Sequence, residues 1–382
     1  MNEALAGPPS RFAGMNRGGA AAVLALLVAA LIAACWPAPT GRGSAAPKLR
    51  AAHEQSDLAL YRDIIRRVHD GENYYSVAAD EQRKDGYPLT PFVTFRLPTV
   101  ATAYARLGAP VMESIELGLA LVVLLVWYRR MRRDSPLWQR LSGVFLITAG
   151  GAGLVQPVTG IFHESWAALL MALAVGIRRP GHAAGAVVAG TLALLVRETA
   201  LPFVLMMGGL ALIERRWREA AGWAAGLTLF VAYLAWHAAR VAEVVLPTDL
   251  ASPGWQGLLG AGFALKAFAA VTGATILPPA LAAAILVLSL FGWVSVRTDW
   301  GLRAALMTLG YGAMLALFAR ADTFYWALLA APLSLAGAVY APRAIRDLIA
   351  ALDRSRARGQ PDRTRRLPGA RGQLHGLPHR LG

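Results

Sequence analysis

Two pairs of neighbouring ionisable residues stand in apolar surroundings: Arg197-Glu198, inside residues 192–201, and His163-Glu164, between Ile161-Phe162 and Trp166. A charge near mid-bilayer costs about 2.5 to 3.5 kcal/mol on insertion scales, so each needs a partner or a task. Asp57, Asp63, Arg96, Lys266, Arg320 and Asp322 fall at the edges of apolar runs or in polar segments beside them. A carboxylate can take the proton of an attacking hydroxyl, and cations can hold a leaving phosphate as charge builds on it. Arginine suits the second task because its fork binds phosphate oxygens in pairs and stays charged, which makes Arg197, Arg320 and Arg96 the candidates.

Each of these residues also has a plain structural explanation. Arg197 and Glu198 would serve as an ion pair at a helix break, and His163 and Glu164 as a helix cap and an interfacial anchor. Asp57 follows Ser56 at an expected helix start, where an acid caps the N-terminus. Lys266 on an amphipathic helix would snorkel to the surface. A His-Glu pair is too little for a metal site, and the sequence carries no zinc or Walker pattern, so no metal ligands and no cofactor are assigned from it, and the metal requirement stays open.

The elements that must position these residues follow from composition. Of 382 residues 56% are hydrophobic and 16% charged, where soluble domains carry about 25% charged. Mean hydropathy is +0.45, so the expected solvent is a bilayer and the fold an all-α polytopic membrane domain of about ten helices. The net charge of +15 comes almost wholly from Arg clustered in short stretches between apolar runs, the pattern of cytoplasmic loops and not of a nucleic-acid surface. A single cysteine, Cys35, excludes an internal disulfide and a cysteine-based metal cluster. It ends the stretch Leu31-Ile32-Ala33-Ala34-Cys35, a loose lipoprotein-type pattern, but the spans that follow favour a signal anchor over a lipid anchor.

The expected organisation is a cytoplasmic N-terminus (1–19), a membrane domain (20–342) and a basic, disordered cytoplasmic tail (343–382, unstructured from about 354). Apolar runs cover about 20–36, 110–128, 141–157, 165–177, 183–196, 199–213, 220–238, 280–296, 303–319 and 323–340. Residues 38–108 form an outer loop with helices around 57–69 and 99–106. Residues 258–277 are read as a helix lying on the outer interface, because only that parity keeps the Arg-rich tail inside with both termini cytoplasmic. The candidate site residues then share the extracytoplasmic face.

In this layout the chain resembles the GT-C glycosyltransferases, polytopic enzymes that use polyprenyl-phosphate sugars, and in particular the family 87 mannosyltransferase-related proteins. The residues that carry the resemblance are Ser56-Asp57-Leu58-Ala59-Leu60-Tyr61-Arg62-Asp63, His69-Asp70-Gly71-Glu72-Asn73-Tyr74-Tyr75, Tyr87-Pro88-Leu89-Thr90-Pro91, Arg96-Leu97-Pro98, His163-Glu164-Ser165-Trp166 and Arg197-Glu198. It spans about residues 20–340; the chain is shorter than many members and lacks a large C-terminal periplasmic domain. The resemblance implies an inverting transfer from a polyprenyl-phosphate sugar to a lipid or glycan acceptor, on the outer face of a bacterial-type inner membrane. It implies Asp57 as catalytic base with Asp63 as fallback, and Arg96, His163, Glu164, Arg197, Glu198, Lys266, Arg320 and Asp322 on the substrates. A transporter or flippase-like carrier would show repeats and charges buried in both halves, and a non-catalytic assembly protein would use the same charges structurally.

Overall fold

Apolar runs bounded by Pro, Gly and Arg fold into helices in a computed structural model of the chain, which describes residues 9–35, 47–154, 160–254 and 257–359. In order they are α1 (Arg17–Cys35), α2 (Pro47–His69), α3 (Tyr74–Lys84), α4 (Thr99–Leu107), α5 (Ala109–Arg130), α6 (Leu137–Gly150), α7 (His163–Ile177), α8 (Ala184–Val196), α9 (Leu201–Ile213), α10 (Trp217–Ala242), α11 (Gly260–Val271), α12 (Pro279–Ser295), α13 (Asp299–Phe318), α14 (Ala331–Ser334) and α15 (Ala341–Gly359). Among the described residues β-structure is limited to two isolated bridges, one of them Thr90 with Ala251. The fold is therefore all-helical, as expected. Five segments are long and apolar enough to cross a membrane: Arg17–Cys35, Ala109–Arg133, Trp217–Ala242, Asp299–Phe318 and Ala321–Asp353. Large apolar side chains point outward from them and their neighbours, as at Leu26 (70% exposed) and Phe145 (69%), which only a lipid solvent makes favourable.

Three expectations about elements change. The helix read from 57 begins at Pro47, and α3 stands where the sequence suggested loop. The run 323–340 is not one α-helix: 3₁₀ turns at Ala321–Ala330 and Ala336–Tyr340 flank the single turn of α14. Pro332 lacks a donor N–H, and Gly337 packs where no side chain fits. A Cβ on Gly292 would lie 1.9 Å from the Gly337 carbonyl oxygen, and one on Gly337 2.0 Å from that of Ser289. This close approach seats a buried aromatic group, in which the rings of Trp127, Trp293 and Trp300 lie 5.7 to 5.9 Å apart. Two of their indoles donate to backbone, Trp127 to Ala172 (3.0 Å) and Trp293 to Leu333 (2.8 Å). The third change is at the C-terminus, where α15 runs on to Gly359. The expectations for residues 1–8, the linker 36–46, the end of the run 141–157 and the tail 360–382 lie outside the described residues.

The bundle has two ends. At one, here the arginine end, α5 and α7 finish and α13 starts, because Arg130 and Arg178 both bond the Asp299 carboxylate. At the other, the loop end, α2 to α4 sit over the starts of α5, α7 and α9. Residues 258–277 begin beside the C-terminus of α13, where the Leu258 N–H donates to the Leu317 carbonyl (3.0 Å). They finish beside the C-terminus of α6, where a Cβ on Gly273 would lie 3.1 Å from the Ala149 oxygen. The segment thus starts and stops at the loop end. It is more deeply set than an interfacial helix, since Ala264, Ala267 and Phe268 belong to the main core.

Candidate functional site

The polar segment becomes a rigid cap through a small core of its own, in which Leu60 and Ile64 of α2 meet Tyr75, Val77 and Ala78 of α3, with Leu89 and Phe95 beneath. Asn73 starts α3 by accepting the Tyr75 N–H (2.9 Å), and Arg83 ties its end to the loop after α10 with two bonds to Asp249 (2.7 and 2.8 Å). The Arg83 hydrogen bonds hold the Asp249 carboxyl down at about 2. Where α4 begins, the Thr99 hydroxyl donates to the Leu195 carbonyl at 2.6 Å, which fixes the preceding residues 96–98 over the bundle.

Under this cap a polar cluster forms from five separate parts of the chain. The Arg96 Nε donates to the Tyr61 hydroxyl of α2 (3.0 Å) and its Nη2 to that of Tyr325 (3.4 Å), with the guanidinium over the Tyr325 ring. Among the described residues no carboxylate pairs with Arg96. Burial alone would lower its pKa, but the oxygens of Tyr61, Tyr325, Glu164 and Glu198 around it outweigh that and keep it charged. Burial pushes the Tyr61 phenol up to about 12, against the pull of Arg96, so it stays protonated. Tyr61 also packs edge-on to Phe162 and at 6.0 Å from the His163 ring.

His163 and Glu164 open α7, but neither caps it nor sits at an interface; both are buried, Glu164 to 3% exposure, and the N-cap is Phe162. His163 Nε2 lies 3.1 Å from the Leu97 carbonyl oxygen, which makes it the donor, and leaves Nδ1 without a partner. Arg197, 2% exposed, donates through Nε to Glu164 (2.7 Å) and through Nη1 to Glu198. The extended backbone at Arg197 ends α8, and a 3₁₀ turn at Glu198–Ala200 leads into α9, so the pair occupies a helix break. The structural ion-pair explanation is therefore met for Arg197, with two acids and not one. Its phosphate role would need those bonds to open.

Asp57 lies about three turns into α2, so it is not an N-terminal cap. Its carboxylate accepts from the Tyr87 hydroxyl, and it stands one turn before Tyr61 on the same helix face. Asp63, six residues on, is turned about 120° away and faces Arg66 (2.9 Å) and Lys84 (4.0 Å). Arg320 spends its fork on Asp322 (3.1 and 3.0 Å) and reaches Ser252 and the Gly254 carbonyl. Lys266 is exposed on α11. None of Asp63, Lys266, Arg320 and Asp322 is hydrogen-bonded into the cluster. Tyr61 and Tyr87 stand in the segments that carry the resemblance but were given no role from sequence, and Tyr325 was not singled out at all.

The second omission is larger. At the arginine end a buried network joins Arg178, 1% exposed, to Glu219 (2.9 and 2.9 Å), Glu214 (2.9 Å) and Asp299 (2.6 Å). Arg303 adds a bond to Glu214 (2.7 Å), and Arg216 another (2.7 Å). The ionisable residues therefore do not gather on one face alone. Comparisons with protein families, curated proteins and solved structures found no significant match to this chain.

Proposed function

We propose that the chain is an integral membrane glycosyltransferase of GT-C type, which moves a sugar from a polyprenyl-phosphate donor to a lipid or glycan acceptor with inversion. The observation that carries this reading is Arg96: a charged guanidinium held by two phenols, with no carboxylate on it among the described residues, over a helix face that also presents Asp57. The acceptor oxygen attacks the anomeric carbon and forms the new C–O bond. The bond from that carbon to the donor phosphate breaks, and the phosphate leaves with the electron pair toward Arg96. The hydroxyl proton passes to Asp57, which Tyr87 orients. Arg197 is a positioning residue, holding Glu164 and Glu198 beside Arg96.

The helix ends support about ten crossings, the five long segments, Ala321–Asp353 among them, supplemented by the shorter apolar helices α6, α7, α8, α9 and α12. The arginine end then faces the cytoplasm with both termini, and the cap faces outward in a bacterial-type inner membrane. A second reading, a flippase-like lipid carrier, is favoured by the charges buried at both ends. Transfer assayed in detergent separates the two, because a carrier has no compartments there and moves no sugar between molecules.

Asp57→Asn is the direct test of the transferase. Asn keeps the shape and can still accept from Tyr87, but takes no proton, so the protein should fold as wild type and transfer sugar more slowly by about a hundredfold or more. A near wild-type rate would remove Asp57 from the mechanism.

A further inference from the structure

One side of α10 carries a gradient of chemistry. Leu229, Tyr233, Trp236 and Arg240 follow at spacings of four, three and four residues, which places them in one stripe about 16 Å long. The stripe runs from aliphatic through aromatic to cationic as α10 approaches the loop end. It forms one wall of an open cleft of about 680 Å³. The facing wall is α4, where Thr99, Thr102 and Arg106 share a face by the same periodicity. Tyr233 and Trp236 stack at 5.6 Å and 17°, and the Thr99 and Tyr233 hydroxyls meet at 3.0 Å, so the walls are held in place.

The lining is left open to a ligand. Leu229 is 54% exposed and Trp236 49%, at the base and middle of the stripe. Arg106 is exposed with no ion pair among the described residues, and Arg240 holds only the exposed Glu243 (2.9 Å). An exposed pair of this kind is worth about 0 to 1 kcal/mol and exchanges readily for a better anion. Indole and phenol rings favour the boundary between chain and headgroup, and arginine favours phosphate.

We propose that this cleft binds an anionic membrane lipid, with its phosphate headgroup on Arg106 and Arg240 and its chains along Leu229. The cleft adjoins the Arg96 cluster through Tyr74, whose hydroxyl donates to the Arg96 carbonyl (2.7 Å), but Arg96, Tyr61 and Tyr325 are not in its lining, and the proposal does not rest on the transfer reaction.

The test reconstitutes the full chain in phosphatidylcholine bilayers containing a minor share of phosphatidylglycerol, and measures the phosphatidylglycerol retained after delipidation. Wild type and an Arg66→Gln control should both retain it, with phosphatidylcholine lost. The double variant Arg106→Gln/Arg240→Gln should lower the preference about tenfold, and Thr102→Trp, which fills the cleft without removing a charge, should lower it as well. Retention by either variant at the wild-type level, or equal retention of phosphatidylcholine, would overturn the proposal. Inorganic phosphate is the third arm. Displacement of the lipid by millimolar phosphate would make a free anion the occupant and also overturn it.

Discussion

At the arginine end, Arg178 directs four hydrogen bonds to three carboxylates, and Glu214 receives Arg178, Arg216 and Arg303 in turn. At the loop end, among the described residues, Arg96 donates only to phenols, the His163 Nδ1 and Thr199 Oγ1 atoms have no partner, and Asp57 holds a single tyrosine. Both regions bury arginine beside glutamate. The first has nearly every charge answered within the protein, so it can fix the ends of α5, α7, α10 and α13 against one another, but it offers little to a ligand. The second keeps capacity in reserve: the half-buried Arg96 guanidinium holds two phenols and no carboxylate among the described residues, which leaves it able to take up an anion for part of a cycle.

The largest effect should therefore come from breaking the saturated network. Arg178→Ala strands Glu219 and weakens the hold on Glu214 and Asp299, and should cost about 3 to 5 kcal/mol, read as a loss of thermal stability in detergent. Arg197→Ala strands Glu164 in the same way and should destabilise comparably. The two differ in what rescue restores. Arg178→Lys keeps charge but loses the bidentate grip on Glu219, so it should recover stability only in part, with transfer per folded molecule unchanged. A fall in transfer per folded molecule for Arg178→Lys would join the two regions functionally and undo the contrast.

That contrast also marks what could be read in advance. The long apolar runs specify α5, α7, α8, α10 and α12 closely, since their ends coincide with the ends of the apolar sequence. The start of α2 was hidden because its first ten residues are mostly polar, and α3 because its apolar residues, Tyr74 to Ala79, fill less than two turns before the charged run Asp80 to Lys84. Of the loop-end cluster, Arg96, His163, Glu164, Arg197 and Glu198 were legible as charges near apolar sequence. Tyr61 and Tyr325 were not, because a tyrosine shows its role only once a guanidinium lies on it. The arginine-end network stayed hidden because its cations were read as topological signals, while its acids come from two distant segments, Glu214 and Glu219 at the turn between α9 and α10 and Asp299 at the start of α13.

A pH titration probes both regions in one window. Burial would raise the Glu214 carboxyl, but Arg216, Arg303 and Arg178 together bring it down to about 2, and Arg83 does the same for Asp249. Both are depressed below their unfolded values. Their contribution is complete above about pH 4.5 and is lost as pH falls toward 2. Amide exchange should therefore rise in 214–219 and in 246–250 over that range, and stay flat between pH 8 and 5. A rise confined to 246–250 would show that the arginine end does not depend on the Glu214 charge.

The smallest effect should come from Asp63, the other acid of α2. It is turned away from Tyr61 toward Arg66 and Lys84, whose side chains are 66% and 63% exposed, so its ion pairs are worth about 0 to 1 kcal/mol. Asp63→Asn should shift thermal stability within that range and leave the transfer rate unchanged. Asp57→Asn, six residues earlier on the same helix, should behave in the opposite way, with stability kept and transfer lost. The pair of variants tests the helix face itself: the two carboxyls are chemically alike, and only the rotation of α2 sets one on the face of Tyr61, which holds Arg96. If Asp63→Asn slowed transfer as strongly as Asp57→Asn, the reaction would not be organised around Arg96, and the unsaturated cluster would be a feature of packing.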